Sequence, residues 1–138
     1  MRVVIDSNVL FSAVFRKGST PHKAYNKAVN PPYRCLVCEQ SLDELSESFV
    51  KKFPDRADDV EVFIYGALSV VEIIKVPETA HTNEAKLRDL DDAFILRAAL
   101  AANADIIISG DLDFLESTIE KPTIMTAAQF VQLDNSLI

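Results

Sequence analysis

Four short runs decide what class of fold this chain can adopt. RVVI (2–5), RCLV (34–37), VEIIKV (71–76) and DIIIS (105–109) are apolar almost without alternation. A strand with one wet face alternates with period two, whereas strands of a parallel sheet are covered on both faces and read as continuous apolar runs. PTIM, ending at Met125, is a weaker fifth. Between these runs the period becomes helical. Leu42, Leu45, Phe49 and Phe53 share one face, as do Val60, Phe63, Ile64, Ala67, Leu68 and Val71. DLDDAFILRAALAANA is apolar nearly all round and predicts a buried helix, and TAAQFVQL predicts a short closing one. Strands alternating with helices predict an α/β domain with a mainly parallel sheet, one domain over residues 1–138. The polar stretch PETAHTNEAKLRD is the expected long loop.

The acids fall where such a fold binds ligands, outside the carboxyl ends of the strands. Asp6 ends the first run, and Asp111 follows the fourth in IIISGDLDF. Asp91 and Asp92 open the helix before that fourth run, and Glu44 lies in the helix after the second. Asp6, Asp91 and Asp111 are also good helix N-caps, so cap and ligand are both open for each of them. Asp92 heads the face carried on by Leu96 and Ala99, and a carboxylate there needs a partner. Glu44 sits opposite the Leu42/Leu45/Phe49 stripe, which predicts exposure, with Ser41 and Ser48 as small neighbours that leave room for a ligand. Two carboxylates about 4 Å apart repel by roughly 4 kcal/mol at an effective dielectric near 20. Converging acids must therefore hold protons or a cation, and an all-oxygen set selects Mg²⁺ or Mn²⁺, ions suited to phosphate chemistry.

Several classes drop out. There is no G-x-G-x-x-G, no Walker A loop and no G-x-S-x-G elbow, and the chain has only three glycines. His22 and His81 have no companion for a triad or zinc site and read as surface residues. Cys35 and Cys38 are a lone C-x-x-C on a strand, pointing to opposite faces, so we expect two reduced thiols. No apolar run approaches the roughly 20 residues of a membrane span, and no secretory signal opens the chain, so a cytoplasmic protein is expected. The net charge of −7 argues against a general nucleic-acid coat. Its distribution says more: no Asp or Glu occurs between Ser7 and Cys38, whereas Arg16, Lys17, Lys23, Lys27 and Arg34 do. That segment reads either as a solvated basic face or as a polyanion-facing surface beside Asp6.

These motifs together resemble PIN-domain proteins, in the branch of VapC-like ribonucleases described as toxin components of toxin–antitoxin pairs. DSNVLFSAVF is similar to that branch's opening D-[ST]-N-V-L-V-S-A, and CEQSLDEL to its second motif, with Glu44 at the acidic position. RDLDDAFILRAALAANADIIISGDLDFL resembles R-D-x-D-D-x-x-x-L-x-x-A followed by T/S-G-D-x-D-L. IMTAAQFVQL resembles the I-x-T-P-x-x-F ending, with Ala127 where proline is common. The resemblance implies a Rossmann-like three-layer α/β/α sandwich with a five-stranded parallel sheet. It implies an acidic quartet, Asp6, Glu44, Asp92 and Asp111, binding one or two divalent ions, Mg²⁺ or Mn²⁺. Asn8 and Ser109 match supporting polar positions, and Asp91 and Asp113 are adjacent acids. Cys38 stands where Ser or Thr commonly caps the helix carrying Glu44.

The reading that follows is a metal-dependent endoribonuclease for single-stranded RNA. The segment Arg16 to Arg34 would guide substrate, and Tyr25 or Tyr33 would stack a base. Its alternative is a PIN-like module that binds RNA or protein without cutting. A phosphoaspartyl mechanism is disfavoured, because such phosphatases need a second Asp two residues after the first, where this chain has Asn8. The resemblance also suggests an antitoxin partner and a homodimer, with no membrane association.

Overall fold

The computed structural model describes residues 1–87 and 93–134. Five strands form one sheet: β1 (Arg2–Ile5), β2 (Arg34–Cys38), β3 (Glu72–Ile74), β4 (Ile106–Ile108) and β5 (Thr123–Met125). Their order is β3-β2-β1-β4-β5, and every pair is parallel. Among the described residues the helices are α1 (Ser7–Phe15), α2 (Thr20–Ala28), α3 (Glu39–Lys52), α4 (Ala57–Ala67), α5 (Ala93–Ala101), α6 (Leu112–Leu115) and α7 (Ala127–Gln132), with 3₁₀ turns at Pro54–Arg56 and Thr82–Lys86.

The runs without alternation are strands sandwiched between two apolar layers. Val3 and Ile5 of β1, with Cys35 and Val37 of β2 and Ile106 and Ile108 of β4, face a core shared with α1, α2, α3, α4 and α7. Val4, Leu36 and Ile107 face the other way, onto Ile95, Leu96, Ala98 and Ala99 of α5 and Phe114 of α6. The result is the three-layer α/β/α sandwich expected from the sequence. The period-two pleat also separates the cysteines: Cys35 enters the first core and Cys38 the second, both as free thiols. Burial pushes the Cys35 thiol up to about 12 and raises that of Cys38, which disfavours the thiolate that redox and metal chemistry need.

Four details differ from expectation. VEIIKV shortens to Glu72–Ile74 with Glu72 and Ile73 exposed, because β3 is an edge strand with only one neighbour. The expected loop after Pro77 contains a 3₁₀ turn closed by a capping box. His81 accepts from the Asn83 amide at 3.0 Å, and the Glu84 carboxylate accepts from the His81 amide. Glu84 is itself tied to Arg97 of α5 at 2.9 Å, and Arg97 also donates to the Pro77 and Glu78 carbonyls. Ser41 is buried rather than on the open face of α3, and Leu68 is exposed at 57% because α4 ends before it.

Candidate active site

The strand order reverses between β1 and β4, and both strands end in residues with oxygen side chains. This is the switch point at which open α/β sheets leave a crevice. The Asp6 amide donates to the Ile108 carbonyl at 3.0 Å, which continues the β1–β4 ladder by one residue and fixes Asp6 beside Ser109. Asp6 is 5% exposed and Ser109 fully buried.

Two seryl hydroxyls bracket the Asp6 carboxylate. Ser109 Oγ donates to Asp6 Oδ2 at 2.9 Å and accepts from the Asp111 amide at 3.1 Å. On the other side Ser7 Oγ lies 3.4 Å from Asp6 Oδ1 and 3.0 Å from Glu44 Oε2. Asp6 also caps α1, Oδ1 accepting from the Ser7 amide at 2.7 Å, and Asp111 caps α6 through the Asp113 amide at 2.9 Å. Asn8 Oδ1 accepts from the Gly110 amide at 3.4 Å, holding the turn after β4 against α1. Thus Asp6, Asn8, Glu44, Ser109, Asp111 and Asp113 all belong to one connected edge. Asp91 and Asp92 lie outside the described residues. Ser7 is the residue that sequence reading passed over. Its signal was the residue between Asp6 and Asn8 in DSN, but its bridge to Glu44 depends on the placement of α3.

Burial pushes the Asp6 carboxyl above its usual value, against the pull of the Ser109 hydroxyl and the Ser7 amide, and the Glu44 carboxylate adds to the rise. A cation would relieve both the desolvation and the repulsion. The donors present are carboxylate, hydroxyl and amide oxygens, so the chemistry fits a hard divalent ion rather than zinc. Among the described residues no three Asp, Glu, His or Cys side chains cluster closely enough to form a metal site by themselves.

The basic residues differ in their surroundings. Arg16, Lys17 and Lys23 are exposed near α1 and α2. Lys27 is committed elsewhere: Nζ donates to the carbonyls of Phe130, Val131 and Leu133 at 2.6–3.2 Å, capping the end of α7. Arg34 begins β2, at the sheet edge away from the acids, and pairs with Glu72 at 3.3 Å. Tyr25 and Tyr33 cannot offer open faces to a base. Both are buried, Tyr25 against Phe63 and Tyr33 against Phe130, because α2 and the turn before β2 pack onto the first core. His81 is exposed as expected, while His22 is half-buried and accepts from the Gly18 amide. Cys38 occupies the N-cap of α3 and makes no cap bond with its side chain.

The class is that of an all-parallel sandwich with Asp6 and Asp111 at its switch point. The chain belongs to the PIN domain family, whose model matches residues 2–113. Solved structures share the fold at low identity. VapBC2 from Rickettsia felis, bound to a DNA fragment from its promoter, is 17% identical with a TM-score of 0.65, over 91% of this chain and 97% of that one. PAE2754 from Pyrobaculum aerophilum is 15% identical with a TM-score of 0.62, over 95% and 88%. VapC20 from Mycobacterium tuberculosis, a toxin that cleaves the sarcin–ricin loop, is 18% identical with a TM-score of 0.55, over 81% and 92%. No curated protein matches the chain in sequence. Among the described residues no helix is long and apolar enough to cross a membrane.

Proposed function

We propose that this PIN-domain chain is a metal-dependent endoribonuclease that hydrolyses single-stranded RNA, with residues 1–138 acting as one domain. The observation that carries the reading is the buried Asp6 carboxylate, hydrogen-bonded to Ser109 and linked through Ser7 to Glu44 at the switch point. Asp6, Glu44 and Asp111, together with Asp92, are the residues that would hold Mg²⁺ or Mn²⁺. The ion, when bound, supplies Lewis acidity and neutralises charge on the phosphate. Ser109 and Ser7 fix the carboxylate oxygens, Asn8 steadies the turn that carries Asp111, and Asp113 adds negative charge next to Asp111. Arg16, Lys17 and Lys23, exposed near α1 and α2, attract the substrate, while Lys27 and Arg34 serve the fold. The sarcin–ricin activity of the VapC20 neighbour supports RNA as the substrate class.

Asp6→Asn keeps an acceptor for the Ser7 amide and a group that can pair with Ser109 Oγ, so the protein is expected to fold. Its cleavage of RNA with Mn²⁺ should fall at least about 100-fold. Cleavage at the wild-type rate by pure Asp6→Asn protein would sink the proposal. The non-cutting alternative separates on calorimetric titration with Mn²⁺, since a module that only binds RNA or protein has no need to take up the ion. The VapBC2 neighbour supports an antitoxin partner, and a homodimer is part of the same reading. Size-exclusion chromatography with light scattering would remove the dimer if only monomer eluted at high concentration.

A further inference from the structure

A cleft of about 480 Å³ opens beside the acids and runs between α1 and α3. One wall is Asn8, Phe11 and Ser12 of α1; the other carries Glu44, Ser48 and Lys52 of α3. The spacing i, i+4, i+8 keeps the last three on one side of the helix, and at 1.5 Å per residue Lys52 stands about 12 Å along α3 from Glu44. The cleft is therefore polarised, acidic where Ser7 bridges Asp6 and Glu44, and basic at its far end.

Lys52 is exposed and lies over the Phe11 ring at 5.3 Å. Among the described residues no carboxylate pairs with it. Ser12 also borders a neighbouring depression lined by Phe15, Arg16 and Ser19, where Arg16 lies over the Phe15 ring at 5.8 Å. Two cations, Lys52 of α3 and Arg16 after α1, thus rest on phenyl rings of α1 away from the acids. A polyanion cannot be attracted by the carboxylate end, so its affinity must come from cations further along. The phenyl rings, themselves packed on Phe49 and Phe53, hold the cations in place at the cleft.

We propose that this cleft is the track of the RNA strand, with Lys52, carried over the Phe11 ring, binding a phosphate upstream or downstream of the cut. This rests on the nuclease reading for the site at the cleft's acidic end. The competing explanation for Lys52 is local: it stands in the last turn of α3, where a cation complements the helix dipole. Lys51 stands in the same turn and does not line the cleft, which supplies the control.

Binding is read separately from cleavage, by fluorescence anisotropy of a short labelled single-stranded oligouridylate with full-length Asp6→Asn protein in Mg²⁺. Lys52→Gln is expected to weaken binding about three- to tenfold and to reduce the slope of log Kd against log salt by about 0.7. Lys52→Arg should keep both, and Lys51→Gln should change neither. In the cleaving wild-type background, Lys52→Gln should raise KM and leave kcat near its starting value. The track is overturned if Lys52→Gln and Lys51→Gln behave alike, if the oligouridylate does not bind, or if polyglutamate of equal charge binds as tightly. Lys52-dependent binding by a wild-type chain that never cleaves would uphold the track and reject the nuclease reading. Cleavage with Lys52-independent binding would do the reverse.

Discussion

Capping α1 does not exhaust the Asp6 carboxylate, so the cap and the proposed ligand role are compatible. Oδ1 takes the Ser7 amide at 2.7 Å and Oδ2 takes the Ser109 hydroxyl at 2.9 Å, and an ionised carboxylate has about four lone-pair sites. Asp111 repeats the arrangement at the start of α6. Capping is thus the means by which the main chain aims each acid at the switch point. Ser109 is the joint between the two acids, and its removal tests that coupling. Ser109→Ala leaves Asp6 Oδ2 without its donor and the Asp111 amide without its acceptor, and should cost about 1–3 kcal/mol in urea denaturation. The lost hydrogen bond also removes a force that lowers the Asp6 pKa, so uptake of Mn²⁺ should shift to higher pH. An unchanged pH profile of Mn²⁺ binding would show that Ser109 does not poise Asp6.

At the scale of elements, α3 carries Glu44 yet starts at a cap position whose thiol makes no cap bond. Cys38→Ser supplies a favoured N-cap and should stabilise the protein by up to about 1 kcal/mol, seen as a higher Tm. A lower Tm would mean that burial of the sulfur beside Leu36 and Ile74 outweighs the cap. The 3₁₀ turn at Thr82–Lys86 is held to α5 by Glu84 and Arg97, and these two elements flank residues 88–92 in sequence. Hydrogen bonding from Arg97 pulls the Glu84 carboxyl below its ordinary 4.5. A depressed carboxylate stabilises the native state above its unfolded pKa, and that contribution is lost as pH falls through the folded value. The stability gap between wild type and Glu84→Gln should therefore be widest above about pH 5 and close towards acid. Chemical denaturation across that range measures it, and a gap independent of pH would reject the ion pair as its source.

Over the whole molecule, the sandwich places its acids on the edge away from Arg34 and Glu72, so ligand binding is expected to stabilise one end of every central strand at once. Mn²⁺ at 100 times its Kd should add about 2.7 kcal/mol if it binds the native state alone. Tm should rise with Mn²⁺ in the wild type and stay flat in Asp6→Asn. An equal rise in both would place the ion elsewhere.

Sequence alone determined the layers, because strands covered on both faces cannot alternate and helices between parallel strands must cross over the sheet. RVVI, RCLV and DIIIS showed this directly, and the pleat told Cys35 from Cys38. It also put Asp6 and Asp111 at strand ends, whereas Glu44, inside a helix, entered as a ligand only through the resemblance of CEQSLDEL to a family motif. Tertiary structure decided what each side chain has left to offer. Lys27 and Arg34 are cations by sequence but helix cap and ion-pair member by packing, and Tyr25 and Tyr33 are aromatic but enclosed. Ser7 and Lys52 gain their meaning only when α3 lies against α1. Hydropathy records which face of an element is covered, whereas a hydrogen bond or a cleft depends on which two elements meet, and that is written in no single stretch of the chain.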